Sequence, residues 1–270
     1  MKAELTLEGH NWRFDASEPV EISIPLIFDG PQPNAYGVDL ARSTPCAAGD
    51  LVGDTRQGGS CNFEQYTIIP HCNGTHTECV GYITNERISI RACLKDVFTP
   101  AILISVEPLL ADATNETYSV SADSGDSLIT RAAIEQSIAH AAAFDALIIR
   151  TMPNSEEKLT RQYGEPVPPY FTTEAMQFLI ERRIKHLLVD LPSIDRLYDD
   201  GRLSNHRIFW NVDEGSFDTN DDTRLDSTIT ELVFVPDEVE DGLYLLNLQI
   251  APFASDASPS RPVLFRAEQN

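Results

Sequence analysis

Three short apolar runs, AILISV (101–106), ALIIRT (146–151) and HLLVDL (186–191), constrain this chain more than any other feature. Each has the length of a strand and is apolar almost throughout. A strand with one wet face alternates, whereas one that is apolar at successive positions has both faces covered. Between the runs lie segments of helical character. Residues 130–144 are rich in Ala, with Ile134, Ile138 and Ala141 on one face. A second helix begins at Thr173, which reads as its N-cap. Glu174 there suits the helix dipole, and Ala175, Phe178, Leu179 and Ile184 point inward. Strand, helix, strand, helix, strand is the succession of an α/β fold: a mixed β-sheet with covering helices.

The flanks add strands. VEISIPL (20–26) alternates, QYTIIPH (65–71) reads as a short strand, and TITELVFV (228–235) with LYLLNLQIAPF (243–253) reads as a hairpin turning at 239–242. Residues 43–62 have no period and read as a long irregular excursion. The acidic stretch 213–226 reads as a solvated loop, and its spacing does not match an EF-hand. With no repeat and no clear linker, residues 1–270 read as a single domain, long enough to bury a core without staples.

The net charge of -22 weighs against nucleic acid and anionic membranes as partners, and reads as a solubility feature. No apolar run approaches the roughly 20 residues of a spanning helix. The N-terminal MKAELTLEGHNWRFD has no apolar core of a signal peptide, so a cytoplasmic setting with reduced thiols is expected. Five cysteines, an odd number, fit that setting better than a disulfide framework.

The chemistry concentrates in PHCNGTHTEC (70–79), which holds two of the six histidines, a carboxylate and two of the five cysteines. Imidazole and carboxylate are ligands for Zn or Mn. If residues 75–79 are extended, His76 and Glu78 share a face, and a turn at Asn73-Gly74 would swing His71 to the same side. Three mixed nitrogen and oxygen ligands with open positions suit catalysis. On residue types alone, three other readings stay open. Cys72, His76 and Cys79 with His71 would make a closed structural zinc site, though their spacing matches no ordinary zinc ribbon. Cys72 and Cys79 would make a redox pair, without the C-x-x-C spacing. The segment would otherwise be a buried strand with satisfied histidines.

NGTHTECVGY resembles the signature of the cyclase-family metal-dependent hydrolases, whose best-known members are the bacterial kynurenine formamidases. Their pattern is His-x-Gly-Thr-His-x-Asp-x-Pro-x-His; Gly74, Thr75 and His76 match it, and Glu78 stands at the Asp. LIIRT (147–151), VDLPSID (189–195), SNHRIFW (204–210) and TITELVFVPD (228–237) are similar to later family segments, in the same order. The resemblance implies a β/β/α layered, swivelling-domain-like fold, a divalent ion (Zn or Mn), and a homodimer or homotetramer. It implies hydrolysis of an amide or related C–N bond by metal-activated water, with an arylformamide such as N-formylkynurenine or a cyclic amide as substrate. The ligands would be His71, His76 and Glu78. His206 and Glu231 match the positions that complete the family's site, taking a second ion or carrying protons.

The departures are specific. The family's first His falls at Cys72, one place after His71; its Pro is Val80; and its last His, which positions water and shuttles protons, is Tyr82. A phenol with an unperturbed pKa of about 10 is a poor base at neutral pH. A catalytically silent member that binds a metal or small ligand is therefore the alternative. Tyr36 and Trp210 are candidates to line an aromatic pocket. Asp190, Ser193 and Asp195 with His186 have the residue types of a triad, but no Gly-x-Ser-x-Gly elbow surrounds Ser193, and a turn at Pro192 is expected instead. His10 and His140 read as structural.

Overall fold

The computed structural model describes residues 1–7, 9–139 and 144–269. The elements that matter here are, in chain order, β1 (Lys2–Leu7), β2 (His10–Asp15), the single-turn helix α1 (Pro70–Asn73), β3 (His76–Glu78), β4 (Thr99–Val106), α2 (Arg131–Ile138), β5 (Ala146–Thr151), α3 (Thr173–Glu181), β6 (His186–Val189), α4 (Ser204–Trp210), β7 (Thr228–Glu231), β8 (Gly242–Ile250) and β9 (Ala257–Gln269). The sheet runs β9-β8-β4-β5-β6-β7-β3, and β3 pairs back onto β9, so the mixed sheet closes into a barrel. β4 through β7 are mutually parallel, and the remaining pairs are antiparallel. The β1–β2 hairpin extends the sheet beyond the far end of β9.

The three apolar runs are β4, β5 and β6, and the closed sheet explains why they do not alternate. Ile102, Ile104, Leu147, Ile149, Leu187 and Val189 face outward, against Ile134 and Ile138 of α2, Phe178 and Leu179 of α3, and Phe209 and Trp210 of α4. Ala101, Leu103, Ala146, Ile148 and Leu188 face the barrel interior, where Ile22, Tyr244, Leu246 and Leu264 meet them. Both faces are dry, as continuous apolar strands require.

The helices start where side-chain caps allow. Thr172 caps α3 by accepting from the Ala175 N–H at 3.0 Å, so Thr173, expected as the cap, is the first helical residue. Thr130 caps α2 in the same way. Ala141 and His140 lie outside the described residues.

The expected hairpin of 228–235 with 243–253 is not formed. β7 stops at Glu231, Leu232 takes a left-handed φ of 55°, and β8 pairs with β4 and β9 instead. Val233 and Val235 of that apolar run fill the barrel and are wholly buried there, and the Phe234 N–H donates to Ile22 O at 2.8 Å. A plug and a strand leave the same hydrophobic signature. Two other readings also change. Only Val20–Glu21 of the 20–26 run is strand, although Ile22 and Ile24 are buried in alternation as expected. The 65–71 strand is Glu64–Thr67, ending before Pro70 opens α1 at its first turn, the position a proline tolerates. Residues 43–62 are less irregular than their composition implies. Arg42–Pro45 pairs with Glu64–Thr67, and Ala47–Ala48 with Leu51–Val52. Residues 213–226 are mostly exposed, as expected of a solvated acidic loop. Among the described residues, no helix is long and apolar enough to cross a membrane.

Leu103 is fully buried in the barrel interior. Leu103→Ala should destabilise the fold by about 2–5 kcal/mol, measured by urea unfolding, because a closed barrel collapses poorly around a cavity.

Candidate metal centre

β3 is only three residues long, yet its neighbours on both sides bring chemistry to it. Its antiparallel register with β7 sets His76 opposite Glu231, and its register with β9 sets Glu78 opposite Ala257. Thr77 points to the opposite face, where its hydroxyl meets that of Thr230 at 2.8 Å. His76, Glu78 and Glu231 therefore share the outer face of the barrel, beside Ile229 of the outer core. α4 lays His206 over that face. α1 brings His71 in from the side, and the Asn73 side chain holds that turn by accepting from the Ile69 N–H at 2.7 Å.

The five expected ligands thus converge. His71 Nδ1 lies 3.0 Å from Glu78 Oε2. His206 Nε2 lies 2.9 Å from Glu78 Oε1 and 3.7 Å from Glu231 Oε1, and His76 Nε2 lies 3.5 Å from Glu231 Oε2. They form two sets of donors, His71/His76/Glu78 and Glu78/His206/Glu231, each with its atoms within 4.8 Å of one another. Glu78 belongs to both and turns one oxygen toward each.

The rear of each ring is also fixed. His76 Nδ1 donates to Gly74 O at 3.0 Å, which leaves Nε2 to face the cluster. His206 Nδ1 sits 2.6 Å from Asp195 Oδ2. Asp195 does more: it accepts from the Asn205 and His206 N–H groups at 2.7 and 3.2 Å and from the Tyr118 hydroxyl at 2.8 Å. The residue at the N-cap of α4, Leu203, offers no side-chain cap, and Asp195 supplies that service from outside the helix. Glu231 Oε1 accepts from the Ile194 N–H at 3.0 Å.

Electrostatics tie the groups together. Burial pushes the Glu78 carboxyl up, but His206 and then His71 outweigh it and hold it well below the usual range. Burial pushes His71 down, while Asp256 and Glu78 raise it to about 10. His206 behaves alike, lifted well above its ordinary value by Glu78 and Asp195 against burial. Burial, and next the charge of Glu78, push Glu231 up.

Among the described residues, six buried side-chain atoms have no hydrogen-bond partner, and two of them, His76 Nε2 and Glu78 Oε2, belong to this cluster. Glu78 Oε2 is close to His71 Nδ1 yet outside hydrogen-bond geometry. Buried polar atoms are rarely left unpaired, and these two face the same small volume. An N/O donor set with orphaned atoms turned inward fits a divalent ion.

Tyr82 lies flat against the His71 ring, centroids 4.3 Å apart and planes 26° apart, and edge-on to His206 at 5.5 Å. Burial, then Glu78, push its phenol up, so it keeps its proton. Tyr36 stands about half exposed at the edge of the cluster, edge-on to Tyr198 at 6.3 Å; burial and the Glu231 charge push its phenol up as well. Trp210 is wholly buried, donates to Ser227 O at 2.9 Å and backs His206 at 5.5 Å.

The cysteines stand apart from the donors. Cys72 packs with Ile24, Ala35 and Leu232, whereas Cys79 packs with Ile90 and Cys93. Asp190 binds Lys158 Nζ at 2.7 Å and the Thr151 N–H and hydroxyl, and His186 binds Asp96 and Thr228. Neither group forms a triad with Ser193, whose hydroxyl accepts from the Asp195 N–H in the expected turn. His10 is an exposed residue of β2. Sequence reasoning missed two site residues. Asp195 was visible as a triad-type residue and the end of a family-like segment, but not as the partner of His206, and Asp256, 2.8 Å from His71 Nε2, carried no local signal.

Residues 14–196 match the family model described as Putative cyclase; this is more than half of the chain, which belongs to that family. No curated protein matches it. Solved structures share the fold at low identity. A predicted metal-dependent hydrolase from Bacillus stearothermophilus is 15% identical, with a TM-score of 0.59 over 92% of this chain and 98% of its own. Isatin hydrolase A from Labrenzia aggregata, bound to benzyl benzoate, is 15% identical, with a TM-score of 0.62 over 93% of this chain and 94% of its own. An isatin hydrolase bound to the product analogue thioisatinate is 13% identical, with a TM-score of 0.61 over 93% of each chain.

Asp195→Ala should destabilise the protein by about 3–5 kcal/mol in denaturant unfolding, because it strands the buried His206 and uncaps α4 at once.

Proposed function

We propose that this chain, working as one unit over residues 1–270, is a cyclase-family metal-dependent hydrolase that opens an amide or related C–N bond in a small molecule. The observation that carries the reading is the pair of orphaned buried atoms, His76 Nε2 and Glu78 Oε2, inside a convergent set of imidazoles and carboxylates. Family membership and the isatin hydrolases among its structural neighbours support the same bond type. The substrate would be an arylformamide or an aromatic cyclic amide, with Tyr36 and Tyr198 offering aromatic surface at the edge of the cluster.

His71, His76 and Glu78 would hold the ion, Zn or Mn. A divalent ion in such a site supplies, when bound, Lewis acidity toward a carbonyl oxygen and toward water. The protein's own groups do the rest. Asp195 holds His206 in one orientation, and the Ile194 N–H holds Glu231 in another. These two residues either complete a second ligand set around the shared Glu78 or carry the proton to the leaving nitrogen. Metal stoichiometry separates the options: two ions per chain favour the first, one favours the second. Tyr82, keeping its proton, would serve as a hydrogen-bond donor rather than as a base.

Tyr82 also favours the second reading, a silent member that binds a metal or small ligand without turnover. The deciding experiment is elemental mass spectrometry on wild type and His76→Ala, followed by hydrolysis assays with N-formylkynurenine and isatin. Under the hydrolase reading the wild type carries Zn or Mn and turns over a substrate, and His76→Ala loses both. Metal without turnover supports the silent member; Tyr82→His should then raise hydrolysis by about 10²–10⁴-fold, the range of general acid–base catalysis. No metal after reconstitution with both ions refutes the hydrolase reading.

A further inference from the structure

We propose that Asp256 is a positioning residue for the metal centre, selecting the ring tautomer that lets His71 bind the ion; the proposal rests on the metal-dependent reading above. Asp256 immediately precedes β9, the strand that closes the barrel. Its main chain is pinned beside the ligands. Its carbonyl accepts from the Cys79 N–H at 3.0 Å, and the next residue, Ala257, lies opposite Glu78. Its side chain then reaches back across the seam. Oδ2 sits 2.8 Å from His71 Nε2, and Oδ1 lies 3.7 Å from Arg87 Nη2.

His71 therefore has a different carboxylate at each nitrogen, with Asp256 at Nε2 and Glu78 Oε2 at Nδ1, 3.0 Å away. A ligating nitrogen must offer its lone pair, so the one proton of a neutral imidazole has to sit on the other nitrogen. A carboxylate at Nε2 accepts that proton and leaves Nδ1 facing the cluster. The other two rings are arranged on the same principle, His76 by Gly74 O and His206 by Asp195. His71 needs the help most. It stands on a single helical turn and its side chain is 23% exposed, whereas those of His76 and His206 are essentially buried. Without Asp256, the structure gives His71 a ring stack on Tyr82, an edge contact with the His76 ring and the approach to Glu78, and none of these holds a proton on Nε2. Nor does Asp256 read as a stabilising ion pair with Arg87, whose side chain is 81% exposed and reaches it only loosely.

The test uses the full chain, wild type and the variants Asp256→Ala and Asp256→Asn. Zn and Mn affinities come from competition with a chromogenic chelator, and thermal melts of the metal-free proteins run in parallel. Asp256→Ala should weaken metal binding about 10–100-fold, the usual effect of removing the partner behind a ligating His, with a melting temperature near wild type. Asp256→Asn keeps an acceptor oxygen and should recover part of the loss. Wild-type affinity in Asp256→Ala overturns the assignment and leaves the metal site standing. So does a loss of affinity in both variants that only tracks a lowered melting temperature. A wild type that takes up neither ion overturns this proposal and the metal reading together.

Discussion

Two carboxylates, Glu78 and Glu231, are buried side by side, and the structure around them is organised to make that tolerable. Moving a carboxylate out of water costs several kcal/mol even after relaxation, and a second like charge nearby adds to the cost. Three imidazoles offset it. They do so unequally: Glu78, flanked by His206 and His71, is held ionised, whereas Glu231 is pushed the other way by burial and by Glu78 itself. Such a cluster is short of positive charge in a fixed place. A divalent ion held by these residues would supply that charge beside His76 Nε2 and Glu78 Oε2, which are left without partners.

This constraint accounts for where the site lies. A charged cluster cannot share the barrel interior, which is filled by Leu103, Ile148, Leu188, Val233 and Val235. It occupies instead the outer face at the end of β7, beneath α4 and at the seam where β3 joins β7 to β9. The seam matters because three residues of β3 cannot fix a metal centre alone. Pairing on both edges gives the short strand its register, and Thr75 adds a tie by accepting from the Ile24 N–H at 2.8 Å while donating to Leu232 O.

Much of the scaffold was legible because it follows from local pattern. Continuous apolar runs announced β4, β5 and β6, and strand alternation set His76 and Glu78 on one face. What sequence concealed was non-local. Apolar residues 232–235 looked like more strand, but past the left-handed turn at Leu232 only Val233 and Val235 enter the barrel, while Leu232 and Phe234 pack with Ile24 and Cys72. Asp195 and Asp256 are plain surface-type residues until the chain folds. They lie 11 and 185 positions from the histidines they serve, and nothing periodic links them.

The shift of the first histidine from position 72 to position 71 has a helical explanation. Successive residues on a helix point about 100° apart, so one turn can aim only one of two neighbours at a given spot. α1 aims His71 at Glu78, and the same rotation sends Cys72 into the apolar cluster with Ile24 and Leu232. The turn is fixed by Pro70 at its start and by the Asn73 side chain at its end, so the choice belongs to the backbone. Tyr82 then takes a position that complements it. Flat against the His71 ring, a phenol there braces the imidazole on one face while Asp256 holds its edge. Tyr82, at the position of the family's last His, thus packs on the imidazole that the one-residue shift brings to the cluster, and the two departures from the family pattern form one structural unit.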